Sequence, residues 1–125
     1  MSLDSKQILF MGALLAALGV AIGAFGAHGL KETLARTGYA DAFETGVRYH
    51  MYHALALVAL AAVAAYMPSA RTGLVALLFL LGTLIFSGSL YVLAITGIRW
   101  LGAITPIGGV CFIAGWLVLT WQALK

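Results

Sequence analysis

What is scarce in this sequence says more than what is abundant. Charged side chains are scarce: four acidic and seven basic, 9% of 125 residues, where a soluble domain carries about 25%. The shortage is concentrated. Gln7–Leu30, Tyr49–Ala70, Thr72–Ile98 and Trp100–Leu124 contain no Asp, Glu, Lys or Arg, and each is at least 22 residues long. About 20 apolar residues carry a helix across a bilayer. Cysteine is limited to Cys111, which excludes an intramolecular disulfide and reads as a small buried or lipid-facing residue. Proline occurs only at Pro68 and Pro106. The carboxylates are only Asp4, Glu32, Asp41 and Glu44. No Ser-His-Asp arrangement, phosphate-binding glycine loop, paired-cysteine motif or His-Glu-x-x-His is present, so no catalytic template is visible and an enzyme is not expected. The basic residues scatter at span ends, the pattern of headgroup anchors rather than of a nucleic-acid surface.

These features predict a single all-α membrane domain, a left-handed bundle of four transmembrane helices with spans at about 7–27, 47–67, 73–96 and 101–123. The first apolar run exceeds a signal-peptide core of about 7–15 residues and is read as a retained span. In it, Gly19, Gly23 and Ala27 form a small-residue column, with Gly12, Ala16 and Val20 nearby. Such columns let membrane helices approach closely, within one chain or between two copies.

The one sizeable polar segment, about His28–Arg48, predicts a short interfacial helix over Leu30–Arg36, a break at Thr37-Gly38, and a helix from about Tyr39 that runs into span two. On that helix Glu44 precedes Arg48 by four residues, the favourable order for an ion pair. Lys6, Arg71 and Lys125 fall on one side of the membrane; Lys31, Arg36, Arg48 and Arg99 fall on the other. Three against four leaves the orientation open under the positive-inside rule. Trp100 at one level and Trp116 with Trp121 at the other fit two aromatic belts.

Two groups of residues are candidates for function. His28, Glu44, Arg48, His50 and His53 form the first. Their chemistry suits a proton relay, a metal or haem site, or hydrogen bonds to neighbouring helices and lipid near headgroup level, and the last reading is preferred because the cluster lies near a span end. His-x-x-His lacks the further ligands a metal needs, so neither a metal nor a cofactor is expected. His28 alone reads as a helix C-terminal residue at the negative end of the dipole. Thr83, Ser87 and Tyr91, at four-residue spacing in span three, form the second group with Thr105 and Pro106. Hydroxyl stripes more often hydrogen-bond across helices than line a path. Pro106 is expected to kink a continuous span; a helix beginning at the proline is the alternative.

Four ordered segments carry a resemblance: Gly23-Ala24-Phe25-Gly26-Ala27-His28-Gly29-Leu30, Arg48-Tyr49-His50-Met51-Tyr52-His53-Ala54-Leu55, Phe86-Ser87-Gly88-Ser89-Leu90-Tyr91, and Leu101-Gly102-Ala103-Ile104-Thr105-Pro106-Ile107-Gly108-Gly109. Together they resemble the YgdD/YwdK-like family of small bacterial inner-membrane proteins, which is related to a small eukaryotic transmembrane protein. The resemblance implies a multi-pass protein of the bacterial inner membrane and carries over no ligand, partner or catalytic residue. In that family a glutamine often stands where this sequence has His50, which weighs against two obligatory histidine ligands.

Three functional classes follow. A non-enzymatic accessory or structural membrane protein, associated with a homo-oligomer or a larger complex, is ranked first. A small oligomeric transporter or channel is second. A haem- or lipid-binding protein is third, in which Arg48, with Lys31 or Arg36, would hold an anionic lipid.

Overall fold

The computed structural model describes residues 2–125. Among the described residues there are helices and no strands. The first helix, α1 (Ser5–His28), starts on a capping box in which Asp4 accepts from the Gln7 amide and the Gln7 side chain accepts from the Asp4 amide. The short α2 (Lys31–Thr37) stops at Gly38, whose φ of 80° is open to glycine at little cost. Then α3 (Ala40–Tyr66) crosses back, so the expected break at Thr37-Gly38 and the interfacial helical segment between the first two spans are both present. The third span joins α4 (Ala70–Gly82), a π-helical stretch (Thr83–Ser87) and α5 (Gly88–Thr96) into one rod. A 3₁₀ turn (Arg99–Ala103) leads into α6 (Thr105–Ala123). Four of these rods are long and apolar enough to cross a membrane: Ser5–His28, Ala40–Tyr66, Arg71–Thr96 and Arg99–Ala123.

The middle of the molecule is α3 and the third span. The outer helices α1 and α6 pack chiefly on α3 and on α4 with the π stretch, respectively. The main core joins Ile8 and Leu15 of α1, Leu57 and Leu60 of α3, Phe79 of α4 and Phe112 of α6. A smaller cluster of Leu34, Phe43 and Ala94 seats α2. The Thr37 hydroxyl fastens it by donating to the Ala94 carbonyl at 2.7 Å. Thus α2 is docked on the bundle as well as placed at its end.

Two expectations are corrected. The buried glycines of α1 are Gly12, Gly19 and Gly26, a seven-residue column that faces α3, whereas Ala27 and Val20 of the expected neighbourhood are exposed. A Cβ at Gly12 would stand 2.8 Å from the Val58 amide nitrogen and 3.0 Å from the Ala54 carbonyl oxygen. The column therefore serves packing within the chain, because two near-touching backbones tolerate no side chain between them. Nor does Pro106 kink a continuous α-helix. It occupies the first positions of α6, where its missing N–H has no helical acceptor to lose, and the preceding residues close into a 3₁₀ turn.

The π stretch accompanies a close approach between helices. A Cβ at Gly108 of α6 would collide with the backbone of Phe86. Large-to-small pairing continues along that face. A Cβ at Gly82 would lie 2.5 Å from the Phe112 ring, and one at Gly115 would lie 2.6 Å from the Phe79 ring. Each ring fills the space that a glycine leaves, which maintains interior packing density.

Candidate functional site

His50 and His53 are the buried polar centre of α3, each with only 4% of its surface exposed. They lie 10 and 13 residues into α3, or about 15 and 20 Å along a straight helix. Both rings face the interior of the bundle. A buried polar side chain must satisfy its hydrogen-bonding groups within the protein, and both do so.

The two rings are held in opposite tautomers. His50 Nε2 lies 2.7 Å from the Leu15 carbonyl oxygen, and Nδ1 lies 2.9 Å from the Tyr91 hydroxyl. A carbonyl only accepts, so Nε2 carries a proton, and in the neutral ring the Tyr91 hydroxyl donates to Nδ1. His53 Nδ1 lies 2.8 Å from the Tyr49 carbonyl oxygen, and the Trp116 indole N–H donates to Nε2 at 3.1 Å. Here Nδ1 carries the proton. The indole donor requires a neutral ring at His53, and at both histidines every ring nitrogen has a partner within the bundle.

The local sequence explains the docking. The Leu15 carbonyl is reachable because Gly19, one turn onward, has no side chain; a Cβ there would come 3.3 Å from His50 Cδ2 and 2.5 Å from Met51 Sδ. The His53 ring stacks on Phe112 at 3.6 Å between centroids and 10° between planes, with Phe79 edge-on at 5.1 Å. Tyr49 and Phe86 extend the aromatic cluster at 4.7 Å. His50 therefore ties α3 to α1 and α5, while His53 ties it to α6.

The remaining candidates are dispersed. His28 is the exposed last residue of α1. Helix pairing sets it far from His50: Leu15, the partner of His50, is 13 residues earlier in α1, about 20 Å along the axis. Glu44 and Arg48 form their i,i+4 pair at 3.6 Å, with 64% and 63% of their side chains exposed. They border a groove of about 390 Å³ between the end of α1, α2 and the start of α3. Among the described residues, no three His, Cys, Asp or Glu side chains converge to hold a metal.

The hydroxyls of the third span point to separate partners. Ser87 donates to the Gly46 carbonyl of α3 at 2.6 Å, and Thr83 donates to the Phe79 carbonyl of its own helix at 2.8 Å. Tyr91 goes to His50. Thr105 pairs with Ser89 at 2.6 Å, which secures the start of α6 beside the exposed Pro106. A Cβ at Gly88, between Ser87 and Ser89, would meet nothing within 4 Å.

Three participants carried no local signal. Trp116, expected in an aromatic belt, is the donor to His53. Gln122 and Thr72 form a buried pair between α6 and α4, the amide donating to the hydroxyl at 3.0 Å. A lone polar residue near each end of an apolar run was the only available hint. Trp121 lies under two cations, with the Arg71 guanidinium 4.4 Å and the Lys125 ammonium 5.4 Å from its ring centre.

Comparison with known proteins agrees with this architecture. Residues 22–109 match the family described as "Protein of unknown function (DUF423)". The chain is similar to the UPF0382 membrane protein YwdK of Bacillus subtilis, 45% identical over 125 residues, covering 96% of this chain and 98% of the relative. A UPF0382 membrane protein of Staphylococcus haemolyticus is 46% identical over 120 residues, covering 96% and 97%. The UPF0382 inner membrane protein YgdD of Escherichia coli K12 is 36% identical over 123 residues, covering 98% and 93%. No solved structure matches. With its family motif, its near-full-length relatives and its four spanning helices, the chain belongs to the DUF423 family of multi-pass cell-membrane proteins.

Proposed function

We propose that this chain is a non-enzymatic accessory protein of the membrane, a helical body that works by packing laterally against other membrane components. The observation that supports this reading is how the core spends its polar chemistry. Both nitrogens of His50 and of His53 are engaged within the bundle. Thr72, Ser87 and Gln122 are bonded there too. Groups arranged in this way fix helix against helix. A proton relay or a metal site needs a group that can release its partner. The outer helices meanwhile leave most of their surface outward: only 22% of the most apolar window of the first span and 17% of the fourth is buried. Those faces are available to lipid or to a neighbouring membrane protein.

Affinity purification of the tagged chain from gently solubilised native membrane, followed by mass spectrometry, tests the proposal. A stoichiometric membrane protein partner is expected. A partner-free monomer, or solute flux in liposomes that is lost on replacing His53 or Arg48, would overturn it in favour of a transporter or another role.

A further inference from the structure

The groove beside Glu44 and Arg48 is separate from the histidines and from the lateral faces. Gly23 and Gly26, in the last two turns of α1, form its floor; Leu34 and Phe43 close it; Glu44 and Arg48 edge it. Its volume, about 390 Å³, falls at the small end of ligand sites. Its depth follows from the sequence, because Arg48 is the last charged residue before the charge-free run Tyr49–Ala70. Arg48 lies eight residues into α3, about 12 Å from its start. Its guanidinium points back toward that start, to Glu44, which brings the charge to the edge of the apolar layer as snorkelling side chains do.

Opposite charges therefore sit side by side at headgroup depth, above an apolar trough. The last turn of α1 adds to the negative end. Gly26 and Ala27 line the groove, and the carbonyls of a final helical turn carry partial negative charge. A simple anionic lipid satisfies Arg48 but places its charge against Glu44 and the α1 terminus. A headgroup with both a phosphate and an ammonium satisfies all three.

We propose that this groove binds a zwitterionic phospholipid bearing a primary amine, of the phosphatidylethanolamine type. Arg48 holds the phosphate. Glu44 and the end of α1 hold the ammonium, and the first part of one acyl chain lies over Gly23 and Gly26. This refines the anionic lipid expected from the basic residues alone, and it stands independently of the accessory role.

The test is native mass spectrometry of the full chain, delipidated in mild detergent and offered equal amounts of phosphatidylethanolamine, phosphatidylglycerol and phosphatidylcholine. Wild type is expected to retain one phosphatidylethanolamine in preference to the other two. Arg48→Gln should weaken retention of it about tenfold or more, as for loss of a charge-assisted hydrogen bond. Glu44→Gln should keep lipid binding and lose the preference over phosphatidylglycerol. Ala27→Leu, on the groove wall, should lower retention without touching either charge. Equal or stronger retention of phosphatidylglycerol by wild type would overturn the proposal, as would no lipid at all, or a second copy of the chain held in place of lipid. Should the variants fail to fold, the competition among the three lipids on wild type decides by itself.

Discussion

The two flanks of α3 are held by different means. Toward α1 the contact runs along glycines: Gly12 faces the α3 backbone at Ala54 and Val58, Gly19 faces Met51 and His50, Gly26 faces the Phe43 ring, and His50 reaches a main-chain carbonyl across the gap. Toward α6 the contact is ring on ring, with His53 stacked on Phe112 and capped by the Trp116 indole. Without water to drive apolar groups together, membrane helices associate through close packing and hydrogen bonds. Both flanks seat glycines against a neighbour, but only the α6 flank adds a stacked aromatic cluster around its histidine. In both, a histidine from the same face region of α3 supplies the polar tie. The lesson is that two histidines three residues apart need not form one site: neighbouring positions on a helix surface can address different helices.

This contrast can be broken most sharply at the glycines. Gly12→Leu should part α1 from α3, and Gly108→Leu should part α6 from the π stretch, because backbone rather than a movable side chain lies opposite. Each is expected to cost about 3 kcal/mol, read as a lowered unfolding midpoint in detergent. Retention of the wild-type midpoint would show that the flanks are looser than described.

His53→Ala should come next, at about 2–3 kcal/mol, because it opens a cavity under Phe112 and leaves the Trp116 N–H unpaired. Tryptophan fluorescence should shift with it. An unchanged emission spectrum would separate Trp116 from His53.

His50 sharpens the comparison by its tolerance. Glutamine offers one donor and one acceptor group, enough for the Leu15 carbonyl and the Tyr91 hydroxyl. His50→Gln should cost less than half of the roughly 2 kcal/mol expected for His50→Leu, which strands both partners. Equal losses in thermal unfolding would mean that ring shape, not hydrogen bonding, holds that flank.

The smallest effect belongs to Gly88, which faces neither flank. A Cβ there meets nothing within 4 Å and the backbone is helical. Gly88→Ala should raise stability by about 0.5–1 kcal/mol. Destabilisation in the same unfolding assay would reveal an approach at that point which the fold does not contain.

Much of the fold is legible in the sequence because its causes are local. Charge-free runs set the number of spans. Gly38 marks the break before α3 because a left-handed residue ends a helix there, and the Glu44–Arg48 pair follows from four-residue spacing. The candidate site was legible only as a list of residue types. His28 and His50 do not meet, because His50 docks beside Leu15, 13 residues before the end of α1. The start of α6 at Thr105 is not legible in the sequence, because a proline inside an apolar run is locally compatible with a kink or a helix start.

By itself, then, the sequence determined the membrane class, the four spans, the helical segment between the first two, and the Glu44–Arg48 ion pair, since all of these depend on composition or on neighbours within a turn or two. Only the tertiary structure decided which glycines face α3, where the third span takes up its π turn, and which distant partner each histidine meets. The histidine ties reach 35 residues along the chain from His50 to Leu15 and 63 from His53 to Trp116. No local pattern encodes such a partner: the carbonyl of Leu15 is like that of any other residue until Gly19 and α3 expose it to a ring.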